Sequence, residues 1–334
     1  MISRKTVVLG AGAWGTTIAN LLSKKGEDVT VWTFEDEVVE DVKRNAENSR
    51  YLPGVKLNKK LVFTNSLKEA VSNKDIVIVA QPSKYIPALM NNLKPFVKKN
   101  WIVPIITKGL IFSDKVHLLA EFTQNELQIP EKSVFSLSGP NFAVEISRDL
   151  PALSTIAGKD VKMLKELQHF FSTPLFRVYG NTDIVGVQLG GPMKNVIAIA
   201  AGIIAEMELG KNIHAALLTR GSQEMKRLLS AMGARNETIF GLSCLGDLIL
   251  TCSSSKSRNF WAGLQLARGI STEYLMKESG KTIEGIDNLK ALLSLSKSLN
   301  VELPISSMLE TIIFGSKDPK KAILELMNRE LKFE

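Results

Sequence analysis

The stretch "VLGAGAWGTT", Val8 to Thr17, decides how the chain is read. It sets Gly10, Gly12 and Gly15 in the spacing G-x-G-x-x-G, directly after an apolar run that begins a few residues from the start. A strand before and a helix after are the context in which that spacing cradles a pyrophosphate. Gly10 permits the tight turn, Gly12 lets the backbone approach the phosphates, and Gly15 allows close helix packing. The helix N-terminus adds unpaired N–H groups and a positive dipole end. An ordinary glycine-rich loop fits the spacing as well, so its surroundings must decide.

Outward from the turn, "TVVLGAG", "DVTVW", "DIVIVAQP", "WIVPIITKG" and "VFSLSGP" are nearly continuous apolar runs that end in Gly, Pro or a polar residue. Such runs suit strands buried on both faces of a parallel sheet. "LSTIAG" and "LFRVYG" extend the series. Helical stretches alternate with these strands, which predicts a doubly wound α/β, Rossmann-type domain over residues 1–182. From Asp183 the texture changes to long amphipathic patterns at 183–207, 213–232, 258–268, 282–299 and 319–328. Residues 183–334 are therefore expected to form an all-helical domain. In that setting a dinucleotide turn is the favoured reading of the glycines.

Composition narrows the function classes. A chain of 334 residues with 45% apolar and 23% charged residues has the balance of a globular protein with room for two cores. The longest nearly uncharged run, 184–205, carries Gly, Asn, Gln and Pro around Lys194 and reads poorly as a membrane span. The N-terminus lacks a convincing cleavage site for a signal peptide. Cys244 and Cys252 offer neither a disulfide framework nor metal-ligand spacing with His117, His169 and His214, which points to a cytoplasmic setting and no metal. The net charge of +8 is spread over scattered lysine pairs without interleaved aromatics, unlike a nucleic-acid footprint.

The second strand ends at Trp32 and is followed by Phe34, Glu35 and Asp36. An acid in this place hydrogen-bonds the adenosine ribose and repels a 2′-phosphate, so Glu35 argues for NAD(H) over NADP(H). Solvated acids that start a helix are an equal reading of the same pair.

Three charges stand alone in apolar surroundings: Lys108 after "WIVPIIT", Lys194 within 184–205, and Asp247 in "TIFGLSCLGDLILTCSSS". An unpaired buried charge is expensive, so such residues are paired or functional. Snorkelling lysines and a capping aspartate are the ordinary alternatives. Lys108 falls at the carboxyl end of a strand, where open α/β sheets bind ligands. Lys194 and Asn195 lie on the first long helix of the second domain and face the same chemistry. Hydride delivery to a ketone creates an alkoxide that needs a proton and electrostatic support. A lysine ammonium supplies both if its surroundings lower its pKa from about 10.4 toward neutrality. Asp247 would orient and compensate it. Further on, "SSSKSRN", Ser253 to Asn259, offers Arg258 and several small donors at a helix start, suited to a phosphate monoester or simply a capped polar loop.

At this point the chain resembles the bacterial type of NAD(P)-dependent glycerol-3-phosphate dehydrogenase. The resemblance runs nearly its full length through "GAGAWGTT", "YLPG", "TKG", "SGPNFAVE", "KNVIAIAAGI", "LLTRGSQEM" and "CLGDLILTCSSSKSRN". It implies reversible reduction of dihydroxyacetone phosphate to sn-glycerol 3-phosphate for phospholipid synthesis, by a cytoplasmic homodimer using NAD(H) or NADP(H). Carried over by motif position, Lys194 is the proton donor and acceptor, with Lys108 and Asp247 beside it in the catalytic set. Gly139, Asn141, Asn195, Thr251, Ser257, Arg258 and Asn259 join these three as substrate residues. Ala13, Trp14, Ala143, Glu284, Lys108 and Arg258 join the glycines, Phe34 and Glu35 as cofactor neighbours. Other two-domain dehydrogenases with a catalytic lysine would lack the "SRN" element, and a turnover-free dinucleotide sensor would need no proton donor.

The chain departs from the family pattern in four places. It has "GGPMKN" for "GGALKN", so Pro192 is expected to start or kink the helix before Lys194. Asn141 replaces the serine of "SGPSFA", Lys211 replaces an acid, and Phe34 stands near where many members carry His or Arg.

Overall fold

The computed structural model describes residues 4–277, 280, 282–315, 317–328 and 330. They divide into two units, residues 1–111 with 117–188 and residues 112–116 with 189–334. In the first unit, the strands are β1 (Thr6–Leu9), β2 (Val29–Trp32), β3 (Val62–Thr64), β4 (Ile76–Val79) and β5 (Val103–Ile105). A small hairpin follows, β6 (Leu110–Phe112) and β7 (Val116–Leu118), and then β8 (Val134–Ser138), β9 (Ala152–Ala157) and β10 (Phe176–Asn181). Eight of them form one sheet in the order β10-β9-β8-β5-β4-β1-β2-β3. Its pairings are parallel except between β8 and β9.

Alternation explains why these runs are apolar at every position. Val8, Ile76 and Ile78 enter one core cluster, while Val7, Leu9, Val77 and Val79 enter another. Successive side chains leave a strand on opposite faces, so both faces of the sheet are covered. Each such residue stabilises the fold by about 1.5–3 kcal/mol relative to exposure. The strand order reverses between β1 and β4. Open sheets bind ligands beyond the carboxyl ends of the strands at such a switch point, and the glycine turn leaves β1 there.

The second unit is built of helices. Its long members are Ile184–Glu206 (whose first residues group with the first unit), Gly210–Ala231, Arg258–Ala267, Glu284–Ser298, Pro304–Ile313 and Pro319–Met327. The helix Pro304–Ile313 was not read from the sequence, where its short apolar run lacks a clear period. Helix Ile184–Glu206 is long and apolar enough to cross a membrane, but its apolar window is wholly buried within the fold. A helix apolar all round belongs inside a core. At Gly202 and Gly263 a Cβ would collide with the backbone of the facing helix, so Ile184–Glu206 and Arg258–Ala267 meet almost backbone to backbone.

Of the two expectations for Pro192, the helix start needs correction. It lies inside helix Ile184–Glu206 and does not start it. Asp183 marks the start instead, its Oδ1 accepting the Gly186 N–H at 2.9 Å. The surrounding packing holds the helix across the missing proline N–H.

Candidate active site

The turn after β1 is shaped by backbone. Gly10 has φ +125°, and a Cβ on it would lie 2.9 Å from the Ala80 carbonyl carbon. A Cβ on Gly15 would collide with the Gly10 carbonyl oxygen, whereas Gly12 opens onto free space. Helix Ala13–Lys24 begins with Gly12 as its N-cap, and no side chain caps it. Asn48, fully buried, donates to the Ala11 carbonyl at 2.8 Å and to Thr16 Oγ1 at 2.9 Å, fixing the turn from below. The Trp14 indole N–H is buried with no partner among the described residues. An uncapped helix start, an open glycine and an unmatched donor fit a dinucleotide with its pyrophosphate on this turn. Ala143 opens a short helix nearby, and its carbonyl accepts from Thr17 Oγ1 at 3.3 Å.

At the end of β2, Phe34 is exposed. Glu35 occupies the N-cap position of helix Asp36–Asn45, yet its side chain neither caps that helix nor sits in solvent. One carboxylate oxygen accepts from the Tyr51 hydroxyl at 2.7 Å and lies 3.3 Å from the Arg50 guanidinium. The other accepts from Thr33 Oγ1 at 3.2 Å. Burial, then the bond to Glu35 and its charge, push the Tyr51 hydroxyl up to about 12, so it remains a donor at neutral pH. Sequence reading missed Arg50, Tyr51 and Asn48, although "YLPG" was already noted as a motif.

Lys108 follows β5 and donates to the Gly139 carbonyl at 2.9 Å. Beyond β8, a Cβ on Gly139 would press on Leu153 and Ser154 at 3.0 Å. Asn141 donates to Ser154 Oγ at 2.6 Å, while its Oδ1 and Ser138 Oγ are buried without partners among the described residues.

The second unit gathers the remaining candidates in two linked groups. Lys194 Nζ donates to Thr251 Oγ1 at 2.8 Å and lies 3.2 Å from Asp247 Oδ1. Thr251 in turn donates to Asp247 at 3.1 Å. Lys194 is 7% exposed, Asp247 1% and Thr251 3%. A π-type turn, Leu242–Gly246, leads into helix Asp247–Cys252. Residues four apart share a helix face, so Asp247 and Thr251 both meet the lysine. Cys252 is also buried, and burial raises its thiol far above the usual range, leaving no thiolate for nucleophilic work.

In the second group, Asn259 donates to Asn195 Oδ1 at 2.9 Å and accepts the Gly285 N–H at 2.8 Å. Asn195 donates to Glu284 at 3.4 Å. Ser257 caps helix Arg258–Ala267 by accepting the Phe260 N–H at 3.2 Å. Arg258, exposed, opens that helix.

Comparison with known proteins follows the same division. Residues 5–164 match the family model for the NAD-dependent glycerol-3-phosphate dehydrogenase N-terminus, and residues 183–324 match the model for its C-terminus. A glycerol-3-phosphate dehydrogenase [NAD(P)+] from Citrifermentans bemidjiense is 42% identical over the whole chain and 99% of its own length. One from Fusobacterium nucleatum is 39% identical, covering 99% of this chain and 98% of that protein. The crystal structure of a Coxiella burnetii glycerol-3-phosphate dehydrogenase superposes with a TM-score of 0.93 at 34% identity, covering 98% of this chain and 99% of that one.

Proposed function

The chain belongs to the NAD-dependent glycerol-3-phosphate dehydrogenase family, and we propose that Lys194 is the proton donor and acceptor of its reaction. That reaction is the reversible reduction of dihydroxyacetone phosphate to sn-glycerol 3-phosphate with NAD(P)H. The observation that carries the assignment is the buried Lys194, held by Thr251 and beside Asp247. NAD(P)H, when bound, supplies the hydride that reaches the ketone carbon. The carbonyl π pair becomes an alkoxide, and the Lys194 ammonium gives that oxygen its proton. In the oxidative direction the neutral amine takes the proton back from the hydroxyl. Asp247 compensates the ammonium, and Thr251 fixes the direction of Nζ between them. A preorganised cation of this kind needs no rearrangement as charge develops.

Phosphate recognition is assigned to Arg258 and the helix start it occupies, since a planar guanidinium and a helix N-terminus both suit a dianion. Asn195, Asn259 and Glu284 hold neighbouring helix starts in register through their amide chain. Within the first unit, Lys108, Gly139 and Asn141 are proposed as further substrate residues. The enzyme would work in the cytoplasm and supply glycerol phosphate for phospholipid synthesis.

Initial rates of NADH and NADPH oxidation with dihydroxyacetone phosphate test the reading. Turnover with either cofactor is expected. Protein that binds a cofactor but shows no turnover with this ketone would overturn it.

A further inference from the structure

The position that usually settles cofactor choice holds an ion pair and not a lone acid. We infer that Arg50 is a specificity-determining residue that lets this chain accept a 2′-phosphorylated dinucleotide despite Glu35. The inference rests on the dinucleotide site proposed above and concerns its adenosine end.

An isolated glutamate beyond β2 would repel a 2′-phosphate. Here Arg50 stands 3.3 Å from Glu35 and 3.5 Å from Glu37, and its guanidinium lies 5.4 Å from the Tyr51 ring centre. The two partners differ in freedom. The Glu35 side chain is 10% exposed and is held by the Tyr51 and Thr33 hydroxyls as well. The Arg50 side chain is 54% exposed. The pair is open to solvent on the Arg50 side, and Glu35 keeps both hydroxyl donors when the guanidinium turns away, which limits the cost of that turn. Its planar fork can then take a phosphate on two N–H groups.

Two bound states follow. With a ribose 2′-hydroxyl present, Arg50 stays on Glu35, and the oxygen shared with Thr33 accepts a hydrogen bond from the hydroxyl. With a 2′-phosphate present, Arg50 turns to the phosphate, while Tyr51 and Thr33 keep the carboxylate in place. Glu35 thus serves the unphosphorylated cofactor and Arg50 serves the phosphorylated one.

Equilibrium titration of the full-length protein with NADH and with NADPH, followed by cofactor fluorescence, reads this directly without turnover. Arg50→Ala should raise the Kd for NADPH by about tenfold or more, as loss of a charge-assisted contact implies. The Kd for NADH should move by less than about threefold. Arg50→Met keeps the stem over Tyr51 and should show the same split, and thermal melts establish that both variants fold. Glu35→Gln should reverse the split, weakening NADH relative to NADPH. Equal changes for both cofactors in the Arg50 variants, or an unchanged NADPH Kd, would sink the inference. Failure of the parent protein to bind either cofactor would instead remove the dinucleotide reading itself.

Discussion

The glycine turn and the Lys194 cluster are both polar, but they are made of different materials. The turn is backbone. Its shape comes from Gly10 and Gly15, and apart from the Trp14 indole the donors it offers are backbone N–H groups. The Lys194 cluster is side chain, and Lys194 stands more than fifty positions in sequence from the Asp247 and Thr251 it meets. A backbone site depends on what is absent from the side chains, so it breaks when atoms are added. A side-chain site depends on a few atoms and breaks when they are removed.

The sharpest way to test that contrast is to remove Lys194. Lys194→Ala should lower turnover by about 10²–10⁴, the range for a positioned acid or base. The Kd for NADH should stay within about twofold, because the turn is shaped by its own backbone and held by Asn48. Stopped-flow turnover with cofactor titration checks both quantities, and equal losses in each would merge the two regions.

The converse change adds atoms to the turn. Gly15→Val would drive its side chain into the Gly10 carbonyl and toward Ala80. Overpacking of that kind costs about 1–3 kcal/mol, here at the upper end because the obstacle is backbone. Cofactor affinity should fall by at least tenfold as the strand-to-helix approach opens. Calorimetric titration at a temperature where the variant remains folded measures it. Unchanged affinity would mean that the turn does not need this close packing.

The same contrast explains what could be read from the sequence. The turn lies within ten consecutive residues, and the strands around it announced themselves because burial on both sheet faces requires an unbroken apolar run. Lys194 and Asp247 were visible as single charges in apolar surroundings, since burial makes such charges rare. Their partners were harder to see. Asn48, Arg50 and Tyr51 are ordinary polar residues in a loop, and only the folded chain brings them to Ala11 and Glu35. Strand β3 was missed because it lies at the sheet edge with Val62 exposed, so its three residues carry no buried run. Pro192 misled because local chemistry favours a helix start there, and packing from all sides overrides it.

Glu224 gives the smallest effect and extends the contrast to a buried acid remote from the chemistry. It lies 1% exposed on helix Gly210–Ala231. Its carboxylate accepts from the backbone N–H of Ile305 and from Ser306 Oγ at 3.1 Å, holding the start of helix Pro304–Ile313. Burial raises its pKa from 4.5 to about 6, and the three donors from Ile305 and Ser306 only partly offset that rise. Below pH 4.5 the group is protonated in folded and unfolded chains, and its contribution to stability is full. Between 4.5 and about 6 the folded chain keeps a proton that the unfolded chain has released, so stability falls as pH rises. Above about 6 the loss is complete, amounting to about 2 kcal/mol. Glu224→Gln cannot titrate. The difference in urea-unfolding free energy between parent and variant should therefore move by that amount across this window, with the parent losing ground as pH rises. A difference that stays flat would show that the three donors fully compensate the buried charge, making this cap as insensitive to protonation as the glycine turn is.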